Sequence, residues 1–271
     1  MTDGVADLDA PTATRWVDRR VDVMVEFRLR SEERCAAASP VPGCPQLLDS
    51  TMWALQPAPD GPWLDVDAGF GGVASWIRRS VGRDAISVTD TVARLAAARR
   101  LFPDLPAVCA SHHRLPVAAD STAVLLADGL VTTTPDGRDG AADRTHDVLF
   151  AEAARVLRPG GRLALTDVWS ADRTAVFADG RCHPSIEEVR TVALRHGFVE
   201  AHVAVADASA GWWSSAVAQV DAEVARRHGP DPLCLRHDRL GAALDSGRVL
   251  PAALVLTRTT DAPRRLLPGT G

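Results

Sequence analysis

The residues with the clearest chemical potential lie in WLDVDAGFGG, residues 63 to 72, where an apolar run meets a glycine cluster. Gly69, Gly71 and Gly72 allow a ligand to approach the backbone closely, and the helix that follows turns its N-terminal amides toward negative charge. A tight strand-to-helix turn with no ligand would use the same glycines. Asp67 is the odd member, a carboxylate where such a loop ordinarily keeps glycine. Farther along, His112, His113 and Asp128 follow apolar runs and His146 follows a polar segment; histidine titrates near neutrality and so suits proton transfer. Trp169, Trp212 and Trp213 supply broad rings that pack in a core or wall an apolar pocket. Cys182 and His183, in GRCHP, invite a metal or thiol reading, but the further thiols such a site needs are not at a supporting spacing, and no metal site is expected.

These residues need a scaffold, and strand and helix signals alternate along the chain to provide one. Residues 16 to 37 carry apolar positions at three- and four-residue spacing among charges, as one amphipathic helix would, until ASPVPGCPQ breaks it. A helix at about 46 to 55 precedes the strand Trp63 to Val66. Helix Gly72 to Val81, strand Ala85 to Thr89, helix 91 to 101, strand Ala107 to Ala110 and strand Ala123 to Ala127 follow. A polar loop over 131 to 145 leads to helix His146 to Leu157, the turn RPGG and the strand RLALTDV. Ser185 opens a helix with Glu187 and Glu188 in its first turn and Gly197 just beyond its end. FVEAHVAVAD reads as a strand, 212 to 228 and 235 to 246 as helices, and Val249 to Thr257 as the last strand. This alternation predicts an α/β fold, a mainly parallel sheet with helices on both faces. Residues 1 to 45 form a helical segment or lid, 46 to 260 the main domain with cap elements at about 170 to 185 and 208 to 247, and 261 to 271 a tail.

Composition narrows the class. The 271 residues are 46% hydrophobic and 24% charged, with a net charge of -5, an ordinary balance for a globular protein that gives no footprint for nucleic acid. No stretch is apolar enough to span a bilayer and the N-terminus is acidic, so a cytoplasmic protein is expected. Five widely spaced cysteines fit reduced thiols better than a disulfide framework. Lysine, asparagine and tyrosine are absent, so no lysine or tyrosine can act as base or Schiff-base former.

The order of segments resembles the class I S-adenosylmethionine (SAM)-dependent methyltransferases, over roughly residues 45 to 258. WLDVDAGFGG matches the family's first SAM loop, AISVTD its second strand, ASHHRLP the adenine-side segment, and LFAEAARVLRPGGRLALTDVW the helix, turn and fifth strand. The resemblance implies a Rossmann-like doubly wound sheet with a final antiparallel strand, and SAM as cofactor. It places Asp65, Asp67, Ala68, Gly69, Gly71, Thr89, Asp90, Ser111, His112 and Asp128 around that cofactor. Three positions depart from the pattern. Asp67 replaces the first glycine; Thr89 stands where the ribose-holding acid is expected, with Asp90 one place later; and Ser111 replaces an acid on the adenine side.

Methyl transfer asks the protein to align an acceptor and, for an oxygen or nitrogen acceptor, to remove a proton. His112, Asp128 and His146 are the candidate bases, and Trp169, Trp212 and Trp213 the candidate substrate wall. Asp128 and Asp167 could instead fix neighbouring backbone, and His146 could cap its helix. The branch resembled acts on small natural-product or lipid-like molecules, so a small apolar acceptor and a possible homodimer are expected. Two other functions stay open: a methyltransferase fold turned to a non-methylating cyclisation or isomerisation, with SAM absent or structural, and a catalytically silent partner subunit.

Overall fold

The central strands are buried on both faces, which is why they read in the sequence as continuous apolar runs rather than alternating ones. The computed structural model describes residues 10–27, 29–39, 46–66, 69–130, 141–171, 175–176, 182–206, 211–230 and 232–259. Its elements are α1 (Ala10–Glu26), α2 (Ser31–Ala38), α3 (Gln46–Ala54), β1 (Trp63–Val66), α4 (Gly72–Val81), β2 (Ala85–Thr89), α5 (Val92–Leu101), β3 (Ala107–Cys109) and β4 (Thr122–Asp128). They continue with α6 (Ala141–Val156), β5 (Leu157–Ser170), β6 (Ala175–Val176), β7 (Cys182–His183), α7 (Ile186–Arg195), β8 (Phe198–Val205), α8 (Gly211–His228), α9 (Pro232–Asp245) and β9 (Val249–Arg258).

Seven strands form one sheet in the order β3-β2-β1-β4-β5-β9-β8. Strands β1 to β5 pair in parallel, and β9 runs antiparallel between β5 and β8. This is a Rossmann-like doubly wound sheet, mostly parallel with a final antiparallel strand. Side-chain alternation divides the interior into two cores. Leu64, Val66, Leu125 and Ala127 face α6 and α7 through Leu149, Phe150 and Val189. Trp63, Val124 and Leu126 face α3 and α4 through Leu48, Met52, Val73 and Ile77.

Local chemistry sets the helix ends. Thr91 Oγ1 accepts from Arg94 N at 3.2 Å to start α5. Ser185 and Glu188 make a reciprocal cap on α7, with Ser185 N donating to the Glu188 carboxylate at 2.8 Å and Glu188 N to Ser185 Oγ at 3.3 Å. Gly82 ends α4 at φ +69°.

Two expectations change. The single helix over 16 to 37 is two, because Arg30 adopts extended geometry and its N–H donates to the Glu33 carboxylate at 2.8 Å, capping a new helix while Leu29 turns inward. The helix expected at His146 starts at Ala141, so His146 lies inside α6 and not at its end. Among the described residues no helix is long and apolar enough to cross a membrane.

Candidate active site at the carboxyl ends of the strands

In a sheet of this topology ligands bind beyond the carboxyl ends of the parallel strands. Five such ends converge here: Val66, Thr89, Cys109, Asp128 and the end of β5. The first leads into the glycine turn. Asp65 is fully buried, and its Oδ2 accepts from Ala74 N at 3.0 Å, tying β1 to the first turn of α4. Gly69 and Gly71 take φ values of +54° and +83°, where a side chain is disfavoured. Asp67 and Ala68 lie outside the described residues.

The other reason for glycine in this turn is packing. A Cβ on Gly71 would meet Leu105 Cδ2 at 2.6 Å, and one on Gly72 would meet Cys35 O at 2.4 Å. Helix α2 rests directly on the turn: Cys35 Sγ donates to Gly72 O at 2.7 Å and Phe70 N donates to Ala38 O at 3.1 Å. Burial pushes the Cys35 thiol up to about 12, against the pull of Arg79, so it keeps its proton and stays a donor. Arg79 Nη2 in turn donates to that sulfur at 3.2 Å, joining α2 to α4 from a second side.

At the end of β2, Thr89 is buried and its hydroxyl donates to Thr91 O at 3.3 Å. Asp90 is exposed, and its carboxylate lies 3.0 Å from Arg94 Nη1 one helical turn on. Past β3, Ser111 Oγ accepts from His113 N at 3.2 Å. The His112 ring lies against that of His113, with centroids 3.9 Å apart. Burial, helped by the neighbouring His113 and opposed by Asp90, lowers the His112 pKa from 6.5 to about 4, so its ring is neutral at ordinary pH.

Asp128 closes β4, buried, in register with Thr166 of β5. Both follow by two residues a side chain of the α4-side core, Leu126 and Ala164, so they share that face. Thr166 is a residue that sequence reading passed over. It is 5% exposed and its hydroxyl has no hydrogen-bond partner among the described residues. The signal was the alternation in LALTDV, which puts a polar residue on a face otherwise filled by Ala164.

His146 is 5% exposed on α6. Trp169 carries two readings from the sequence, substrate wall and core packing. Its ring is fully buried in the core and its indole N–H donates to Ala252 O at 2.8 Å, which is structural packing. Trp212 and Trp213 open α8, but their side chains lie outside the described residues. Asp167 Oδ1 accepts from Val168 N at 2.7 Å, fixing backbone. His183 is buried with Nδ1 3.0 Å from Val168 O, and among the described residues no cluster of His, Cys, Asp and Glu is placed for a metal ion.

An open depression of about 500 Å³ lined by Arg114, Leu115, Pro116, Val117 and Arg155 lies elsewhere. Arg155 belongs to the last turn of α6, and its carbonyl accepts from Asp120 N beside the start of β4, so this depression sits toward the opposite end of the sheet. Arg155 is committed there to Glu152, Leu115 O and Val117 O. It is a solvated dent beside the fold, and the strand ends remain the chemically equipped region.

Residues 64–165 match the family model of the methyltransferase domain. No curated protein matches the sequence. Among solved structures, a protein from Galdieria sulphuraria described as a sarcosine dimethylglycine methyltransferase superposes with a TM-score of 0.60 at 15% identity, covering 79% of this chain and 84% of that one. The (4+2)-cyclase SpnF gives a TM-score of 0.55 at 19% identity, covering 78% and 80%. Geranyl diphosphate C-methyltransferase from Streptomyces coelicolor A3(2), solved with Mg2+, geranyl diphosphate and S-adenosyl-L-homocysteine, gives 0.56 at 13%, covering 93% and 100%. The chain thus has the fold of the class I SAM-dependent methyltransferases and carries their domain signature over residues 64–165.

Proposed function

We propose that the protein is a SAM-dependent methyltransferase acting on a small apolar, natural-product or lipid-like acceptor. The observation that carries this reading is the β1 to α4 junction, where buried Asp65 ties the strand to α4 and Gly69 and Gly71 hold left-handed geometry at the foot of a helix N-terminus. The residues available fit the cofactor in part. Gly69 and the first amides of α4 suit its carboxylate, Asp90 the ribose hydroxyls, and Ser111 with the neutral His112 ring the adenine side. When bound, the cofactor supplies an already activated methyl group, so this chain's residues need only hold the acceptor and manage a proton.

His112 is a poor proton store, because its charged form is disfavoured down to about pH 4. It serves the site better as a neutral ring and hydrogen-bond acceptor. Asp128 and His146 are the groups left to take a proton from an oxygen or nitrogen acceptor. Trp212 and Trp213, at the start of α8, are assigned to the acceptor wall.

A second reading, a non-methylating cyclisation or isomerisation on the same fold, is favoured by the ribose end. There the Thr89 hydroxyl is spent on Thr91 O, and the Asp90 carboxylate is held by Arg94 at the surface. The structural likeness to a cyclase agrees with it. Calorimetric titration with SAM and S-adenosylhomocysteine tests the first reading: no binding at about millimolar ligand sinks methyl transfer. Asp67→Gly sharpens the result. An affinity gain of about tenfold marks Asp67 as an obstacle to the cofactor, and a loss marks it as a partner of the cofactor's amino group.

A further inference from the structure

Away from the strand ends, buried polar chemistry concentrates among α1, α8 and α9. Arg20 of α1 is 1% exposed beside the apolar Val17, Val21, Met24, Val220 and Val224. Its Nη1 pairs with Asp221 Oδ1 of α8 at 2.6 Å, and its Nη2 donates to Cys234 Sγ of α9 at 3.4 Å. The other carboxylate oxygen of Asp221 lies 2.8 Å from His237 Nδ1, also of α9. One carboxylate therefore joins three helices. Burial works against its charge, but the hydrogen bonds and charges of His237 and Arg20 outweigh burial and hold its pKa below the usual range.

The same N-terminal stretch ends on the candidate site. Beyond α1 the chain turns into α2, whose Cys35 and Ala38 bond to Gly72 and Phe70 of the first turn. The backbone of α2 covers that turn closely enough to forbid a Cβ at Gly72. We propose that Arg20, Asp221 and His237 form a clasp that holds α1 and α2 as a strap across the turn at 69–72, and that releasing the clasp uncovers the site. A buried guanidinium deprived of its carboxylate is strongly disfavoured, so this cluster weighs heavily among the contacts that dock the strap, beside the exposed pairs of Asp22 with Arg100 and Glu26 with Arg227 and the bonds of α2 to the turn. A docked segment can open as a local unit while the sheet stays folded. The proposal relies on the methyltransferase reading only for the identity of the ligand that enters.

Hydrogen exchange of the full chain tests it. In Asp221→Asn, amides of residues 10–38 are expected to exchange about tenfold faster or more, with those of Leu163, Ala164 and Leu165 within about twofold of wild type. Equal acceleration in both regions, or in neither, overturns the clasp. Arg20→Lys keeps the charge but loses the planar fork, and a smaller acceleration confined to 10–38 is expected. If both variants unfold only as a whole, the cluster is a general determinant of the fold and the proposal fails. S-adenosylhomocysteine added to the wild-type protein is expected to slow exchange over 10–38; binding without slowing overturns the coupling to the site. Absence of binding removes the methyltransferase reading instead, and the ligand-free variants still decide the clasp.

Discussion

The turn after β1 and the end of β2 are the same kind of junction, a parallel strand handing over to a helix, yet they use their polar groups in opposite ways. At the first, Asp65 holds Ala74, Phe70 N is taken by Ala38 O, Gly72 O by the Cys35 thiol, and Gly71 O by Ser75 N. At the second, Asp90 faces solvent with one surface partner. The first junction ties separate helices, α2 and α4, to the strand end, whereas the second satisfies its polar groups locally, Thr89 on Thr91 O and Asp90 on Arg94 at the surface. A glycine motif can therefore persist because neighbouring backbone demands it, whether or not a ligand does.

Substitution breaks this contrast most sharply at Gly72. Gly72→Ala pushes a methyl into the Cys35 carbonyl at 2.4 Å, a backbone atom that can yield only by shifting α2 from the turn, and a loss of about 3 kcal/mol in urea unfolding is expected. Gly160→Ala, with φ +75° but open space around it, is the control and should cost about 1 kcal/mol. Equal costs would mean that α2 does not impose glycine on the turn.

A middle-sized effect is expected at His112, past the end of β3. The unfolded chain protonates His112 near 6.5 and the folded one near 4, so the group adds nothing above that window. Stability falls as pH drops from 6.5 to 4 and then levels off, because only the unfolded state takes the proton in between. In His112→Gln, urea midpoints across this window should decline less steeply than in wild type. Matching slopes would show the ring to be solvated.

The smallest change in stability belongs to Asp90→Asn. Its exposed pair with Arg94 contributes no more than about 0.5 kcal/mol, so the unfolding midpoint should barely move. Under the methyltransferase reading, affinity for S-adenosylhomocysteine should nevertheless drop about tenfold, since a charged acceptor for the ribose is gone. A variant that alters folding without binding at one junction, and binding without folding at the other, would establish the division of labour.

Much of this was legible because local signals agreed with the global fold. Helix α4 and strand β2 begin and end where glycine and charge punctuate the sequence, and Ser185 with Glu188 marked the start of α7. The break between α1 and α2 was not legible. No glycine or proline stands there, and a backbone-to-carboxylate cap at Arg30 and Glu33 does the work instead. The early start of α6 was hidden because Ala141 and Ala142 follow a polar run and have no apolar rhythm of their own. For the candidate site, the strand ends followed from periodicity, whereas the commitment of Gly71 and Gly72 to packing did not. Contact between α2 and the turn joins residues some thirty to forty positions apart, as in Cys35 to Gly72, and no local pattern announces it. Trp169 reads locally as a residue just past a strand end, whereas β5 continues to Ser170 and the pairing with β9 buries the ring.

The place of β9 bears on how the chain reaches this state. It is the latest strand in the sequence, yet it lies inside the sheet, between β5 and β8. As the chain leaves the ribosome, β8 emerges before it has any strand to pair with, and the sheet cannot close until residues 249 to 258 are free of the exit tunnel. The parallel half can order while synthesis continues, but the edge of the molecule waits for nearly all of these residues to be made.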